Sequence, residues 1–416
     1  MAIVEERSLS TKRIYAIIGK FYFVGRVVLL CSAFLGSIIC LLLKEACLLL
    51  QKVELFYVRM PITEPWVTSY GFQEAIDSVF VHLDFDVCDG WGECSPAPIP
   101  SYNSEYASGA FDIAHNVLGP LLCGKQLYSG ADISEYFQHI KGHQFAKSAF
   151  DCAWWDAFSK YKKQPLWKLI GGVNKTVSVG ADFPVQKTSA ELLSKVDRAV
   201  VDGFRRIKIK FNPQSNVATI AEIRSKYPDM LIHVDCNSGF SLDDIELFKE
   251  LDELGLAMIE QPLAYDDLIF HAELQSKIKT PICLDESITS VDRARKAIDI
   301  DACRYINIKT SRVGGLTNAI EIHDLCQDRG IPVWVGGMLE SAVGQSFSLA
   351  LATMPNVGYP NDIFPSRRFY QVDMSAPEIV LSSPGMIEAP HSFGAGFAPD
   401  FKKLVSTSVK SASINV

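Results

Sequence analysis

The chain has 416 residues, 48% hydrophobic and 21% charged, with a formal net charge of −8. That length suggests two or three domains, and the composition supplies a large core. The acidic balance, with basic residues scattered in short pairs, argues against nucleic acid as the main partner.

The N-terminus carries "VVLLCSAFLGSIICLLL" at 27–43, 17 residues without a charge, preceded by Arg7, Lys12, Arg13, Lys20 and Arg26. This lies at the lower limit for a membrane-spanning helix. Three readings stand: an N-terminal anchor on the cytoplasmic face, an extra buried helix, or an upstream start codon. A membrane is a partner only in the first. The 11 cysteines form no CxxC, and several sit in apolar runs, so they read as small buried residues in a reducing compartment. The expected location is therefore cytoplasmic. The eight histidines form no HExxH or HxH pattern, and His233 reads as packing rather than as a ligand.

From 176 onward, short β-branched runs alternate with amphipathic helical stretches. The runs are 177–185, 206–211, 231–237, 257–263, 281–287, 305–311 and 332–337, with 357–364 as a weaker eighth. Eight strands with helical crossovers predict a parallel (β/α) barrel. The polymer ends in "STSVKSASINV", small and polar, and is expected to be disordered.

Within the second run, "RIKIKF", Lys208 and Lys210 share the face opposite Ile207, Ile209 and Phe211. Taken alone, two lysines on one face suit an edge strand guarded against pairing. The polar residues of the following runs change that reading. Lys210, Asp235, Glu260 and Asp285 are spaced by 25 positions each, and Lys309 follows after 24. Each sits at or near the C-terminal end of its run, the catalytic face of such barrels. Five strands thus offer Lys, Asp, Glu, Asp and Lys around one mouth. Three carboxylates suit a hard divalent cation, Mg²⁺ first and Mn²⁺ as a substitute. A metal that binds a substrate carboxylate stabilises the charge left when its α-proton is removed. Lysine is a base only when neutral, and neighbouring cations (Lys208 beside Lys210, the metal, Arg312 near Lys309) are expected to depress it.

These motifs resemble the enolase superfamily, in the branch of o-succinylbenzoate synthases and N-succinylamino acid racemases. The resemblance covers about residues 52–400 and rests on "VDCNSGF", "IEQPL", "CLDES", "INIKTSRVGGL" and "GGMLESAVG". "RMPITEPWVTSYG", "GWGECSPAPIPSYNSE" and "AFDCAWWDAFSKYKKQPLWKLIGG" belong to it as well. It implies an α/β fold: a modified (β/α)7β barrel at 176–367 with an α+β cap at 52–175. Residues 368–416 would return to the cap, and 1–51 have no counterpart.

The resemblance also implies roles. Asp235, Glu260 and Asp285 would bind Mg²⁺. Lys210 would abstract the α-proton and return it to a departing β-hydroxyl. Lys309 would act as the opposite cation, or as the second acid/base in a racemase, and Lys208 would hold the substrate carboxylate. Thr68, Tyr102, Gly337, Met338 and Ser341, with Asn237 and Arg312, are the expected substrate contacts. Phe364, Arg367 and Cys236 depart from the family pattern.

The leading expectation is o-succinylbenzoate synthase, a dehydratase of menaquinone biosynthesis acting on a small-molecule carboxylate. The alternative is N-succinylamino acid racemase, which Arg312 favours, and a dipeptide epimerase ranks lower. A non-catalytic, membrane-tethered binding protein is the reading from another class; decayed sites usually lack a ligand or base, and this set is complete. The oligomeric state is open, a homo-oligomer included.

Overall fold

The computed structural model describes residues 47–69 and 71–416, and the apolar segment 27–43 lies outside them. Among the described residues, no helix is long and apolar enough to cross a membrane. The nine described cysteines are all free.

The first layer is an antiparallel sheet of Leu48–Thr68, Gly71–Phe85 and Asp89–Cys94. Alternating apolar residues (Leu48, Leu50, Val53, Leu55; Val79, Val81, Leu83) bury one face against helices that carry Phe111, Leu118 and Phe150. The helix Gln144–Tyr161 runs so close to Asp89–Cys94 that a Cβ on Gly90 or Gly92 would lie 2.0 Å from a helix carbonyl. Only glycine permits that approach, which accounts for "GWG" in the strand.

The sheet begins at Leu48, four residues before the boundary expected at 52. The expectation of a disordered C-terminal tail is corrected as well. Ser408–Asn415 is a strand antiparallel to Leu48–Thr68, with Lys52 opposite Asn415. Its backbone satisfies the sheet edge, while Ala412 and Ile414 alternate onto the cap core. Small polar residues between them disguise a strand stabilised mainly by main-chain pairing.

The second sheet is curled and has seven parallel strands in sequence order. They are Ala181–Phe183, Arg206–Lys210, Leu231–Asp235, Met258–Glu260, Ile282–Leu284, Tyr305–Ile308 and Val333–Val335. The lysine-bearing strand is second in this order and paired on both sides, so the edge-strand reading fails. Helices between the strands are capped locally: Thr188 accepts from the backbone N–H of Glu191, and Ser290 from that of Arg293.

The weaker eighth run forms single bridges rather than a strand. Val357 pairs with Val333 and Asn361 with Val179, which joins the last strand to the segment before the first. Pro360 has no N–H to give a ladder there. Asn361 substitutes: its backbone N–H donates to Ser178 O (2.9 Å), and its side chain accepts from Val335 N–H (2.8 Å).

Candidate active site

Strand alternation builds the site. Ile207 and Ile209 join the apolar layer with Val196, Ile220 and Ile223, which leaves Arg206, Lys208 and Lys210 on the opposite face. Parallel register then places Lys210 beside Asp235, Asp235 beside Glu260, and Glu260 beside Cys283. Asp285 and Lys309 follow the ends of the next two strands. Beneath lies an apolar floor of Met258, Cys283, Trp334 and Tyr359. His233 stands between floor and acids, its Nδ1 2.8 Å from Tyr359 OH and its Nε2 3.2 Å from Glu260 Oε2. Burial lowers its pKa, so it is neutral packing under Glu260.

Asp235, Glu260 and Asp285 are all buried, and one oxygen of each lies within 4.8 Å of the others. Lys210 Nζ is 2.6 Å from Asp235 Oδ2, and Lys208 Nζ is 3.0 Å from the same oxygen. Lys208 also reaches Glu260 Oε2 (2.8 Å) and Asp362 Oδ2 (3.0 Å). On the other side Lys309 Nζ is 2.9 Å from Asp285 Oδ2, and Arg312 pairs with Asp285 Oδ1. Glu260 Oε2 and Asp285 Oδ2 nevertheless accept no well-directed hydrogen bond. The ammonium groups neutralise these oxygens without satisfying their lone pairs, and oxygen donors with that need fit a hard divalent cation.

Burial favours the neutral amine, but Asp235, Asp362 and Glu260 outweigh it and hold Lys208 well above the usual lysine value. Lys309 is likewise raised, with burial opposed by Tyr102, Glu286 and Glu260. Glu260 is held well below its usual range, burial being overcome chiefly by Lys208 and His233.

The expected substrate contacts divide. Gly337 and Met338 line a cavity of about 40 Å³ with Lys208, Lys210, Lys309 and Asp362, roofed by Trp66, Ile76 and Pro96–Pro98 of the cap. Tyr102 and Asn237 line a separate crevice with Glu286. Tyr102 OH donates to Asp285 Oδ1 (3.1 Å) and accepts from Lys309 (3.3 Å). The Asn237 side chain donates to Glu286 (3.0 Å). Arg312 is buried beneath Asp285, with Nε on Ile288 O (2.8 Å). Thr68 and Ser341 do not reach the cavity wall: Thr68 bonds within its own turn, and the Ser341 hydroxyl is committed to Glu93. Among the departures, Phe364 lines the cavity, Cys236 is buried in the barrel core, and Arg367 is exposed and paired with Glu378.

Sequence reasoning missed Asp362, Arg206, Asp182 and Asn307. Arg206 is fully buried, forked between Asp182 and Asp362. Asn307 donates to Glu260 Oε1 (2.9 Å). The period of two would have found Arg206 and Asn307, each two residues before a lysine on the same face. Asp362 had no such signal, since its segment lacks strand alternation.

Two family descriptions match the chain. Residues 51–171 match the mandelate racemase / muconate lactonizing enzyme N-terminal domain, and 191–403 the enolase C-terminal domain-like family. An o-succinylbenzoate synthase of Geobacillus kaustophilus is 40% identical over 356 residues, 85% of this chain and 95% of that protein. An N-succinylamino acid racemase of an Amycolatopsis species is 38% identical over 351 residues, 84% of this chain and 95% of the relative. The crystal structure of an enolase superfamily member from Listeria innocua superposes with a TM-score of 0.85 at 36% identity, covering 88% of this chain and 99% of that one. The fold, the buried Asp–Glu–Asp metal site and these likenesses agree: the chain belongs to the enolase superfamily and is an enzyme of its mandelate racemase / muconate lactonizing enzyme subgroup.

Proposed function

We propose that this enzyme is an o-succinylbenzoate synthase, which removes water from 2-succinyl-6-hydroxy-2,4-cyclohexadiene-1-carboxylate, a step of menaquinone biosynthesis. The observation that carries the reading is the pair of lysines on opposite sides of the acid cluster, Lys210 at Asp235 and Lys309 at Asp285. Asp235, Glu260 and Asp285 would hold Mg²⁺, or Mn²⁺ in its place. Bound there, the cation would neutralise charge developing on the substrate carboxylate.

The remaining steps belong to the protein. Lys210, as the neutral amine, takes the α-proton, and the C–H electron pair moves toward the carboxylate. The pair then returns to form the ring double bond and expels the β-hydroxyl, which leaves as water with the proton from Lys210. Lys309 stays protonated and faces the developing charge from the other side. Lys208, pinned by three carboxylates, orients the substrate carboxylate. Trp66, Ile76 and Leu339 exclude water from above.

A second reading rests on Arg312. Its guanidinium neutralises Asp285, the acid that Lys309 also faces, so that carboxylate does not depend on Lys309 for its counter-charge. A Lys309 able to give and take a proton makes the site an N-succinylamino acid racemase.

The test is ultraviolet detection of o-succinylbenzoate formation by the full chain with Mg²⁺, beside α-deuterium exchange on N-succinylamino acids in D₂O. Product formation supports the synthase. Exchange without dehydration transfers the assignment to the racemase, and neither activity removes both.

A further inference from the structure

The cavity over the lysines is small. At about 40 Å³ it holds a few water molecules, far less than a carboxylate carrying an acyl chain. Directly beside it lies a groove of about 680 Å³, between the strand Ala181–Phe183, the helix Ser189–Val201 and the segment after Phe364. Most of its exposed wall is apolar, from residues such as Phe183, Phe204 and Pro365, and charged side chains including Lys195, Arg198 and Arg368 also line it. Among the described residues, the two spaces share only two lining residues, Asp182 and Phe364. They are therefore the partition between the cavity and the groove.

Both are anchored, by different means. Asp182 is fixed by the buried Arg206, which also holds Asp362. Phe364 is held by its backbone and by ring contacts. Its N–H donates to Gln345 Oε1 (2.8 Å), and two residues earlier the Asp362 N–H donates to Val335 O (2.9 Å). The ring meets Phe369 edge-on at 5.0 Å, and Phe369 meets Trp66 of the cap edge-on at 5.4 Å. Shortening the side chain would thus open the partition while the main chain keeps its anchors.

We propose that Phe364 is a specificity-determining residue: its ring closes the catalytic cavity against the neighbouring groove and limits the length of the acyl chain a bound carboxylate carries. The inference rests on the reading of the lysine–acid cluster as the substrate site. It adds that the groove is the space a longer chain would occupy. One methylene that meets a wall rather than a pocket changes discrimination by about tenfold or more.

The test uses N-acetyl-, N-succinyl-, N-hexanoyl- and N-decanoyl-amino acids with one common amino acid. Binding to the Mg²⁺-loaded full chain is measured by calorimetry, and α-deuterium exchange is followed in parallel. Wild type should favour the short chains. Phe364→Ala should shift the ratio of decanoyl to acetyl affinity by at least about tenfold toward the long chain. Phe364→Leu, closer in volume, should give a smaller shift in the same direction and serves if the alanine variant does not fold. An unchanged ratio in both variants overturns the role of Phe364 while leaving the site intact. Binding without exchange in wild type overturns the racemase reading but not the wall. No binding of any member to wild type overturns the wall as a limit on acyl chains, and dehydration of the synthase substrate tests the catalytic reading separately.

Discussion

Asp362, which no local sequence pattern marks, makes as many ion pairs as Asp235 or Asp285. It pairs with Arg206 and with Lys208 while buried, and these two cations hold its carboxyl well below the usual range against the cost of burial. Removing one partner of such a network leaves charge unpaired in a low-dielectric setting. Asp362→Asn should therefore cost about 3 kcal/mol or more of stability in urea unfolding at pH 7. Asp182, the other partner of Arg206, is pushed up to about 7 by burial and by Asp362, so it is only partly ionised at that pH. Asp182→Asn should cost clearly less. Equal losses would mean that the two acids share the guanidinium evenly.

Among whole elements, the contact between the cap helix Gln144–Tyr161 and the barrel helix Leu316–Asp328 runs through Asp151. Its carboxylate accepts from Thr317 N–H (3.0 Å) at the start of the second helix. Burial nevertheless raises Asp151 to about 7, from an ordinary value of 3.8. A folded-state pKa above the unfolded one means that the native state binds the proton more tightly. That stabilisation is complete below about pH 4 and is lost as pH rises through about 7. Asp151→Asn keeps an acceptor and removes the titration. Its stability relative to wild type should improve between pH 4 and pH 8 by on the order of 3 kcal/mol, read by urea unfolding at both pH values. A constant difference would contradict the assignment. The C-terminal strand offers a second test on this scale. Ending the chain at Thr407 removes the partner of Lys52–Val58 and the packing of Ile414. The melting temperature should fall by several degrees, on the order of 1–2 kcal/mol. A disordered tail would leave it unchanged.

Over the whole molecule, the barrel was legible because two periods coincide. Alternation within a strand selects a face, and the spacing of about 25 residues repeats that face at successive strand ends. Lys210, Asp235, Glu260, Asp285 and Lys309 were readable for this reason. The substrate wall was not, because it is made by contacts between distant segments: Trp66 and Ile76 from the cap, Phe364 from the irregular eighth segment. Thr68 and Ser341 show the converse, since a motif can supply a turn or a helix cap rather than a cavity wall. The protonation of Lys208 also depended on Asp362, which no local pattern marks. The three acids of the divalent-metal site come together only in the folded chain, so a divalent cation such as Mg²⁺ at 100 times its Kd should add about 2.7 kcal/mol to stability. Asp285→Asn should abolish most of that gain in thermal melts. An undiminished gain would place the metal elsewhere.

The measurement that bears most directly on the central claim compares wild type with Lys210→Ala in D₂O, with Mg²⁺ and with EDTA. Solvent deuterium at the α-carbon is followed by mass spectrometry, and o-succinylbenzoate by absorbance. The account predicts metal-dependent turnover in wild type and a loss of at least about 10²-fold in the variant, the usual worth of a positioned base. Turnover that persists in Lys210→Ala, or in EDTA, would contradict it.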